Sequence, residues 1–556
     1  MFLCHHKYIF QRLSVCLFKS TKNKSTKNKS TKNKSTNQQI SKSTIQQINN
    51  STTQQLNKKQ INNSTTKTDL RLTTYDLRLI NNEIFYTFAV FLNFMMNDNK
   101  INNVLTFMSV VIVGTLLLSL LPAFNLGNFE FKKVDVVADI RIDEKDVDTD
   151  VIDTIRQTKP ELVDICKTGI ICIDDYSPQH NALNSFYDAL DSSNRTVRIA
   201  YFGDSFIEGD LLTGSLRALF QKKYGGNGVG FVPVNCVTAG FRVSVVTSAV
   251  GWDEHCITDS IFSRKKQGIS GHYFIPDTNS TATFSCRTVF GKEPDTCSMA
   301  SFYFITDGNL KFTTTINRKI REEHSIKGSG NIQKVSVAGR IGHIRITINN
   351  PGVNTRFFGV TLDNENAGVA VDNFSLRGVS GETLKYIPEK TLRDFDSLRN
   401  YDLIILQYGL NVATKTGNNY SNYKKTMTGV INYLRNNFPN SSFMLVSVGD
   451  KAAKINGEMT TTPGAKNLLV TQQQIASECG IAFWNLMDAM TLDGGIVGYV
   501  KSKPSKANLD YTHINIRGGE QIARRLFETI EYEKQKYIEK KTQQIKKYEN
   551  IFYKKN

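Results

Sequence analysis

One serine of the sequence stands where a nucleophile could act. Ser205 ends the motif Gly203-Asp204-Ser205, which follows a short apolar run and precedes apolar residues at three- and four-residue spacing. This pattern predicts a buried strand, a turn and then a helix. Backbone N–H groups at the turn and the N-terminus of the helix would favour the negative charge that forms when a serine attacks a carbonyl group. The alternative is a structural role, because serine and aspartate are common helix N-caps.

An aspartate and a histidine late in the chain could complete a catalytic triad with this serine. Asp510 and His513 lie three residues apart, in a loop that precedes a run with helical spacing. Both side chains can therefore reach the same side of one turn. In such a triad Ser205 attacks an ester carbonyl, His513 accepts the serine proton, and Asp510 orients the imidazole ring. Taken alone, either residue would be an ordinary member of a surface loop.

A glycine and an asparagine between these segments follow apolar strand patterns. Gly381 closes a glycine turn, and Asn411 ends the tripeptide Gly-Leu-Asn after an apolar run. With Ser205 and His513 they form four blocks in order, and these blocks resemble the SGNH or GDSL-type hydrolases, named for these Ser, Gly, Asn and His residues. The resemblance implies an oxyanion hole made by the N–H groups of Ser205 and Gly381 and the side-chain amide of Asn411. Val412 departs from the family, where an aspartate commonly follows the asparagine.

The sequence around the blocks resembles one branch of that family, the peptidoglycan O-acetylesterases with a β-sandwich insertion. The similar features are the first motif with its following Gly209-Asp210, the glycine-rich run at 224–233, the long insertion and Phe483-Trp484-Asn485. The resemblance covers about 196–530. It implies a serine esterase, acting on an O-acetylated cell-envelope glycan such as peptidoglycan, with no cofactor and no metal. The alternatives are an envelope polysaccharide O-acetyltransferase with the same triad, or a glycan-binding protein without catalysis.

Strand and helix patterns predict an α/β fold, a doubly wound parallel sheet in a flavodoxin-like three-layer arrangement. After residue 371 the two patterns alternate, with a strand before Asn411, a helix at about 421–437, a strand at 442–448, a helix at about 465–479 and a strand at 481–485. Ser205 and Gly381 are 176 positions apart, more than one connection of such a fold needs. Residues 235–370 are instead short alternating runs between turns, which predicts an inserted all-β sandwich.

Two aromatic residues of the insertion, Trp252 and Tyr273, could stack on sugar rings and so help to bind a glycan. The alternative is that both belong to the core of the sandwich, since aromatic side chains are often buried.

The N-terminal region predicts a membrane anchor. Residues 104–124 are an uncharged run of 21 residues, the length of a membrane-spanning helix. With Lys100 on the cytoplasmic side, the rest of the chain would lie in the periplasm, held at the inner membrane by an uncleaved signal anchor. Residues 1–95 are basic and of low complexity, so we expect them to be disordered or to precede a true start at Met95 or Met96.

These patterns divide the whole chain into six parts. They are the low-complexity segment (1–95), the anchor (104–124), a linker with a small pre-domain (125–195), the catalytic domain (196–234 and 371–533), the insertion (235–370) and a basic tail (534–556).

Net charge argues against a nucleic-acid partner. The chain carries a formal charge of +18, of which residues 1–98 contribute +11 and residues 534–556 contribute +6. The remaining +1 leaves the folded part nearly neutral, so a basic nucleic-acid-binding surface is not expected.

Seven of the nine cysteines follow the predicted anchor. They are Cys166, Cys172, Cys236, Cys256, Cys286, Cys297 and Cys479. In an exported protein Cys166–Cys172 or Cys286–Cys297 could form disulfides, although spacing does not decide the pairing. No Cys/His spacing resembles a zinc site.

Overall fold

The computed structural model of the chain describes residues 124–126, 129–131, 167–192, 194–235, 239–287, 289–290, 296–364 and 366–555. The chain forms two compact units, residues 1–156 and residues 157–556. In the first unit, β1 (Phe124–Leu126) and β2 (Phe129–Phe131) pair as an antiparallel hairpin. Residues 1–95 and 104–123 lie outside the described residues, and Phe124 begins a strand where the anchor was predicted to end. None of the helices that are described is long and apolar enough to cross a membrane.

The second unit contains the remaining described elements. Its helices are α1 (Asn184–Ser192), α2 (Thr213–Tyr224), α3 (Glu389–Arg399), α4 (Ser421–Asn437), α5 (Pro463–Cys479), α6 (Leu486–Thr491), α7 (Gly495–Lys501) and α8 (Ile516–Lys555). Its strands are β3 (Ile173–Asp175), β4 (Thr196–Gly203), β5 (Gly230–Val232), β6 (Val245–Cys256), β7 (His272–Cys286), β8 (Cys297–Ile305), β9 (Leu310–Ile316), β10 (Ile320–Ile326), β11 (Gln333–Ile341), β12 (His343–Asn350), β13 (Arg356–Asp363), β14 (Gly368–Ser375), β15 (Leu403–Gln407), β16 (Ser442–Val446), β17 (Ala452–Ile455), β18 (Glu458–Thr461) and β19 (Ala482–Trp484).

A six-stranded sheet with the order β14-β4-β15-β16-β19-β3 carries the candidate site. Neighbouring strands are parallel except for β3, which pairs antiparallel with β19 at the edge. All five residues of β15 are buried, as expected for a central parallel strand covered on both faces. The predicted α/β architecture with a largely parallel sheet is confirmed, and the antiparallel edge strand was not predicted.

Helices cover both faces of this sheet, because side chains alternate along each strand. Ile199 and Tyr201 of β4 pack on one face in a cluster with residues of α1, α2 and α8. Ala200 and Phe202 point to the other face, in a cluster with residues of α3, α4 and α5. Each fully buried large apolar side chain contributes about 1.5–3 kcal/mol to folding. The two clusters therefore fix the register of the sheet, and with it the positions at which the strands end.

The strands β5 to β13 form a separate antiparallel sheet of nine described strands. Its two halves meet at a single residue pair between β13 and β7, Phe357 opposite Phe274. On its other side β13 pairs with β8 from Arg356 to Asp363, with a register shift between Phe357 and Gly359. The sheet curls around an apolar cluster that includes Phe302 and Ile346. The sequence predicted a sandwich of two sheets here. One curled sheet is observed, because β13 continues the hydrogen bonding from one half to the other.

The two aromatic residues proposed to stack on sugars do not form an exposed platform. Tyr273 is 3% exposed and belongs to the core, so a sugar-stacking role for its ring is wrong. The ring of Trp252 is half-buried, packs edge to face on Phe357 and donates its indole N–H to the carbonyl oxygen of Thr281 at 2.9 Å. The core alternative therefore describes these residues.

Cysteine pairing, left open by the sequence, differs between the two candidate pairs. Cys172 is disulfide-bonded, and Cys166 and Cys236 lie outside the described residues. Cys286 and Cys297 are buried thiols without a disulfide, and the hydrogen bond between them and their burial raise the pKa of Cys297.

Candidate active site

Three strands that end side by side bring the candidate residues to one edge of the parallel sheet. Gly203, the last residue of β4, is in register with the last residues of β14 and β15. Ser205 follows shortly after β4, Gly381 lies in the loop after β14, and Asn411 lies in the loop after β15. Parallel strands place their carboxyl ends at a common edge, which is where α/β folds form binding sites.

Ser205, His513 and Asp510 form a continuous row of hydrogen bonds. Ser205 Oγ lies 3.0 Å from His513 Nε2. On the other side of the imidazole ring, His513 Nδ1 lies 2.7 Å from Asp510 Oδ2. A carboxylate can only accept, so Nδ1 donates to it and Nε2 faces the serine hydroxyl as an acceptor. The arrangement is the one that a serine nucleophile with a histidine base requires.

Backbone hydrogen bonds fix the loop that carries the aspartate and the histidine. The N–H groups of Thr512 and His513 each donate to Asp510 Oδ1 at 3.0 Å. Tyr511, at the top of this turn, has a positive φ of 52°, and its carbonyl oxygen accepts from the N–H of Ala452 at 3.0 Å. The carboxylate thus shapes its own loop while its second oxygen holds the imidazole ring.

The same hydrogen bonds keep Asp510 ionised. Partial burial raises the pKa of Asp510, but the hydrogen bonds from the backbone and ring of His513 and from Thr512 outweigh it, so the pKa lies below its ordinary value. The side chains of Asp510 and His513 are 47% and 38% exposed, so water also reaches this pair. An ionised carboxylate is the form that can stabilise an imidazolium ring.

The turn that carries Ser205 differs from the predicted strand-turn-helix. A short 3₁₀ turn at Glu208–Asp210 intervenes, and α2 begins only at Thr213, with Leu212 as its N-cap. Gly209 and Asp210 both have positive φ angles, 65° and 63°, which break the helical path. The predicted contribution of a helix N-terminus to Ser205 is therefore wrong, and so is the alternative that Ser205 caps the helix.

The two remaining oxyanion candidates lie in loops that are bonded to each other. The side-chain amide of Asn411 donates to the carbonyl oxygen of Val379 at 2.9 Å, two residues before Gly381. Gly381 has a φ of 95°, and a Cβ at this position would lie 2.8 Å from Met427 Sδ, so only glycine fits without strain. An amide group carries two N–H donors, and this bond uses one of those of Asn411.

The sequence did not show that the Asp204 side chain is buried beneath the serine turn. Its Oδ1 accepts from the N–H of Phe206 at 3.0 Å, and Oδ2 makes no hydrogen bond within the described part of the chain. Burial raises the pKa of Asp204 to about 6, although the N–H groups of Phe206, Gly409 and Leu410 oppose this shift. The buried carboxyl group therefore lies close to the loop that carries Asn411.

Asp210, which follows the serine motif, anchors the start of the antiparallel sheet. Its buried carboxylate accepts from Arg217 at 2.7 Å and from Arg242 at 3.1 Å, and Ser244 also donates to it. Burial would raise the pKa of Asp210, but the two guanidinium groups outweigh it and hold the pKa far below its ordinary value. The segment that leads into β6 is thereby attached directly behind the serine turn.

A cavity of about 580 Å³ opens in front of Ser205 and His513. Its other walls include Glu208, Phe241 and Arg377, none of which the sequence indicated as site residues. Gly381 and Asn411 are not among the described residues that line it.

Lys451 and Ala452 connect the triad loop to the loop after β15. Lys451 Nζ donates to the carbonyl oxygen of Ala413 at 2.8 Å, and Ala452, the next residue, bonds to Tyr511. Partial burial lowers the pKa of Lys451, while the charge of Asp510 raises it. A lysine in a turn gave no signal in the sequence, because its partners are carbonyl groups distant along the chain.

Comparison with known proteins gives a likeness in structure alone. No protein-family model and no curated protein matches the sequence. The structure of a peptidoglycan O-acetylesterase matches 66% of this chain and 99% of its own, with a TM-score of 0.54 and 18% identity. The structures of a Bacillus subtilis protein and of an acetyl xylan esterase match 51% and 29% of this chain and 88% and 81% of their own. Their TM-scores are 0.27 and 0.23 and their identities 11% and 16%, which support no conclusion. The first likeness shows a shared fold.

Proposed function

We propose that the protein is a serine esterase of the SGNH type that removes O-acetyl groups from a cell-envelope glycan, with peptidoglycan the first candidate. The observation that carries the proposal is the row from Ser205 through His513 to Asp510, with distances of 3.0 Å and 2.7 Å, beside an open cavity. The likeness in fold to a peptidoglycan O-acetylesterase supports the choice of glycan.

The first half of the reaction would acetylate the serine. Ser205 Oγ attacks the acetyl carbonyl carbon while its proton passes to His513 Nε2, and the carbonyl oxygen becomes an oxyanion. The bond between the carbonyl carbon and the sugar oxygen then breaks, and His513 returns the proton to that oxygen. Asp510 stabilises the imidazolium ring throughout this step. The deacetylated sugar leaves, and the acetyl group stays on Ser205.

The second half would release acetate. A water molecule gives its proton to His513 Nε2 and attacks the acetyl-enzyme, after which the bond to Ser205 Oγ breaks and the serine recovers its proton. The N–H groups of Ser205 and Gly381 and the second N–H of the Asn411 amide are the proposed oxyanion donors. Such donors are each worth about 3–4 kcal/mol in transition-state stabilisation.

The proposed location follows from the substrate. An envelope glycan places the catalytic unit outside the cytoplasm, and residues 104–124 are proposed to anchor it at the inner membrane. In this proposal the partners are the acetylated glycan and the membrane.

Acetate release from O-acetylated peptidoglycan and from acetylated xylan, measured side by side with the same preparation, tests this function. We expect the wild-type protein to release acetate from peptidoglycan at the higher rate and the Ser205→Ala variant to release none from either. Release from neither polymer by the wild-type protein contradicts the proposal. Transfer of the acetyl group to a second sugar, with little free acetate, indicates the transferase instead.

A further inference from the structure

One wall of the cavity in front of Ser205 is an exposed aromatic ring. Phe241 is 57% exposed and lies in the segment that leads from β5 into β6, where the antiparallel sheet begins. It lines the same cavity as Ser205 and His513. A large apolar side chain left in water beside a candidate nucleophile contributes nothing to the core, so packing does not explain its position.

A buried acid and an arginine complete this wall. The guanidinium group of Arg377 lies over the Phe241 ring, 5.6 Å from the ring centroid. Arg377 Nε donates to Glu208 Oε1 at 3.0 Å, and its Nη2 donates to Glu208 Oε2. The Glu208 side chain is only 10% exposed, whereas that of Arg377 is half exposed. The carboxylate therefore fixes one edge of the guanidinium group, and Arg377 itself lines the cavity.

The backbone that carries Phe241 is held in place from both sides. Arg242, the next residue, donates to the carbonyl oxygens of Phe231 at 2.6 Å and Val229 at 2.7 Å as well as to the buried Asp210. On the other side, a Cβ on Gly209 would lie 2.8 Å from the carbonyl oxygen of Phe241, so this close approach requires a glycine. The exposed ring is thus attached at a fixed distance from the serine turn.

We propose that Phe241 and Arg377 form the subsite for the sugar ring whose acetyl group is attacked, an inference that rests on the proposed function. Phe241 presents an apolar face on which the C–H face of a pyranose ring packs. The Arg377 N–H groups that Glu208 does not use donate to hydroxyl or carboxylate oxygens of the sugar. A few placed polar groups beside aromatic surface are the usual composition of a small-molecule site.

The subsite assigns the antiparallel sheet a role different from that expected for Trp252 and Tyr273. The segment between β5 and β6, which carries Phe241 next to the serine turn, contributes to substrate binding, and those two side chains do not. A small acetyl ester without a sugar does not need the Phe241 ring, whereas a glycan does. Binding energy from the sugar then positions the ester for attack.

The test compares two substrates across three variants. Acetate release from O-acetylated peptidoglycan and hydrolysis of 4-nitrophenyl acetate are measured for Phe241→Ala, Phe241→Tyr and Val353→Ala. Val353 is the matched control, because it is 61% exposed, lies in the loop that joins β12 to β13 of the same sheet, and is not among the described residues that line the cavity. For Phe241→Ala we expect the ratio of kcat/KM for glycan to that for the small ester to fall about tenfold, mainly through KM, because the sugar ring loses the aromatic face on which it packs.

A tyrosine should restore most of this ratio, because it keeps the aromatic face, and Val353→Ala should leave the ratio unchanged. An unchanged ratio in Phe241→Ala, or an equal fall in Val353→Ala, overturns the subsite. The proposed function fails separately, if the wild-type protein releases acetate from no ester at all. Binding of the Ser205→Ala variant to the glycan, with and without Phe241→Ala, gives a readout independent of turnover. Equal dissociation constants in that pair also overturn the subsite.

Discussion

Asp510 and Asp210 both accept hydrogen bonds through their carboxylates, but they differ in solvent exposure and in the number of side chains that contact them. The Asp510 side chain is about half exposed, in a loop that its own hydrogen bonds shape, and its partner is one imidazole ring. Asp210 is fully buried, and two arginines, a serine, a threonine and an asparagine donate to it. We therefore expect replacement of Asp510 to change activity more than stability, and replacement of Asp210 to change stability more than the chemistry at Ser205.

The largest effect is expected from removing the nucleophile or the base. Ser205→Ala and His513→Ala should each lower kcat for 4-nitrophenyl acetate by about 10⁴- to 10⁶-fold, because the two residues act as one unit. The double variant should be no worse than either single variant. Melting curves should not change, since neither side chain supports the core. Near-normal turnover by Ser205→Ala would falsify the assignment of Ser205 as the nucleophile.

The next effect is expected at Asp510. An asparagine there can donate to Nδ1, which favours the wrong imidazole tautomer, so Asp510→Asn should lower kcat by about 10⁴-fold. The melting temperature should stay close to that of the wild-type protein, because the group is exposed. Leu509→Ala, at the neighbouring and 84% exposed residue, is the control and should keep full activity.

Asp210 should show the reverse behaviour. Asp210→Ala leaves Arg217 and Arg242 without their anion in the interior, which should lower the free energy of unfolding by about 3–5 kcal/mol in urea titrations. The control is Glu323→Ala, which breaks an exposed pair with Arg321 and should cost about 0–1 kcal/mol. Equal losses in the two variants would show that burial of the Asp210 carboxylate is not what matters.

A smaller effect, and one that depends on pH, is expected at Asp204. Its folded-state pKa of about 6 lies above the unfolded value of 3.8, so its stabilising contribution is complete below pH 3.8 and is lost as the pH rises through about 6. The loss amounts to about 3 kcal/mol, from 1.36 kcal/mol per pKa unit. Asp204→Asn removes this titration. In urea unfolding, the free energy of unfolding of the variant relative to that of the wild-type protein should therefore be higher at pH 8 than at pH 4. The same difference at both pH values contradicts the assignment.

How far the sequence predicted the molecule depends on the range of the interactions involved. The strands β15, β16 and β19 and the helices α4, α5 and α8 follow from local patterns, and the helix predicted at about 421–437 is observed at Ser421–Asn437. The short elements β17, β18, α6 and α7 were not predicted. The largely parallel sheet follows from that alternation. Local patterns did not predict the late start of α2. The positive φ angles of Gly209 and Asp210 reflect contacts with the distant segment around Phe241 and Arg242.

In the candidate site, too, local motifs predicted some residues, while others are brought together only by contacts between distant parts of the chain. Ser205, Asp510 and His513 are found within hydrogen-bond distance as the motifs predicted, while their catalytic roles stay predictions. Phe241 and Arg377 are 136 positions apart in the sequence, and nothing in either local pattern shows that they meet. Only the return of β14 beside β4 brings the second of them to the serine.

The most direct test of the account is to find the acetyl group on the enzyme. The protein is mixed with O-acetylated peptidoglycan or 4-nitrophenyl acetate, quenched in acid within the first turnovers, digested and analysed by mass spectrometry. We expect one acetyl group on the peptide that contains Ser205, and none on that peptide in Ser205→Ala. Turnover by the wild-type protein in which the acetyl group is carried by a different residue, or persists in Ser205→Ala, would contradict this expectation.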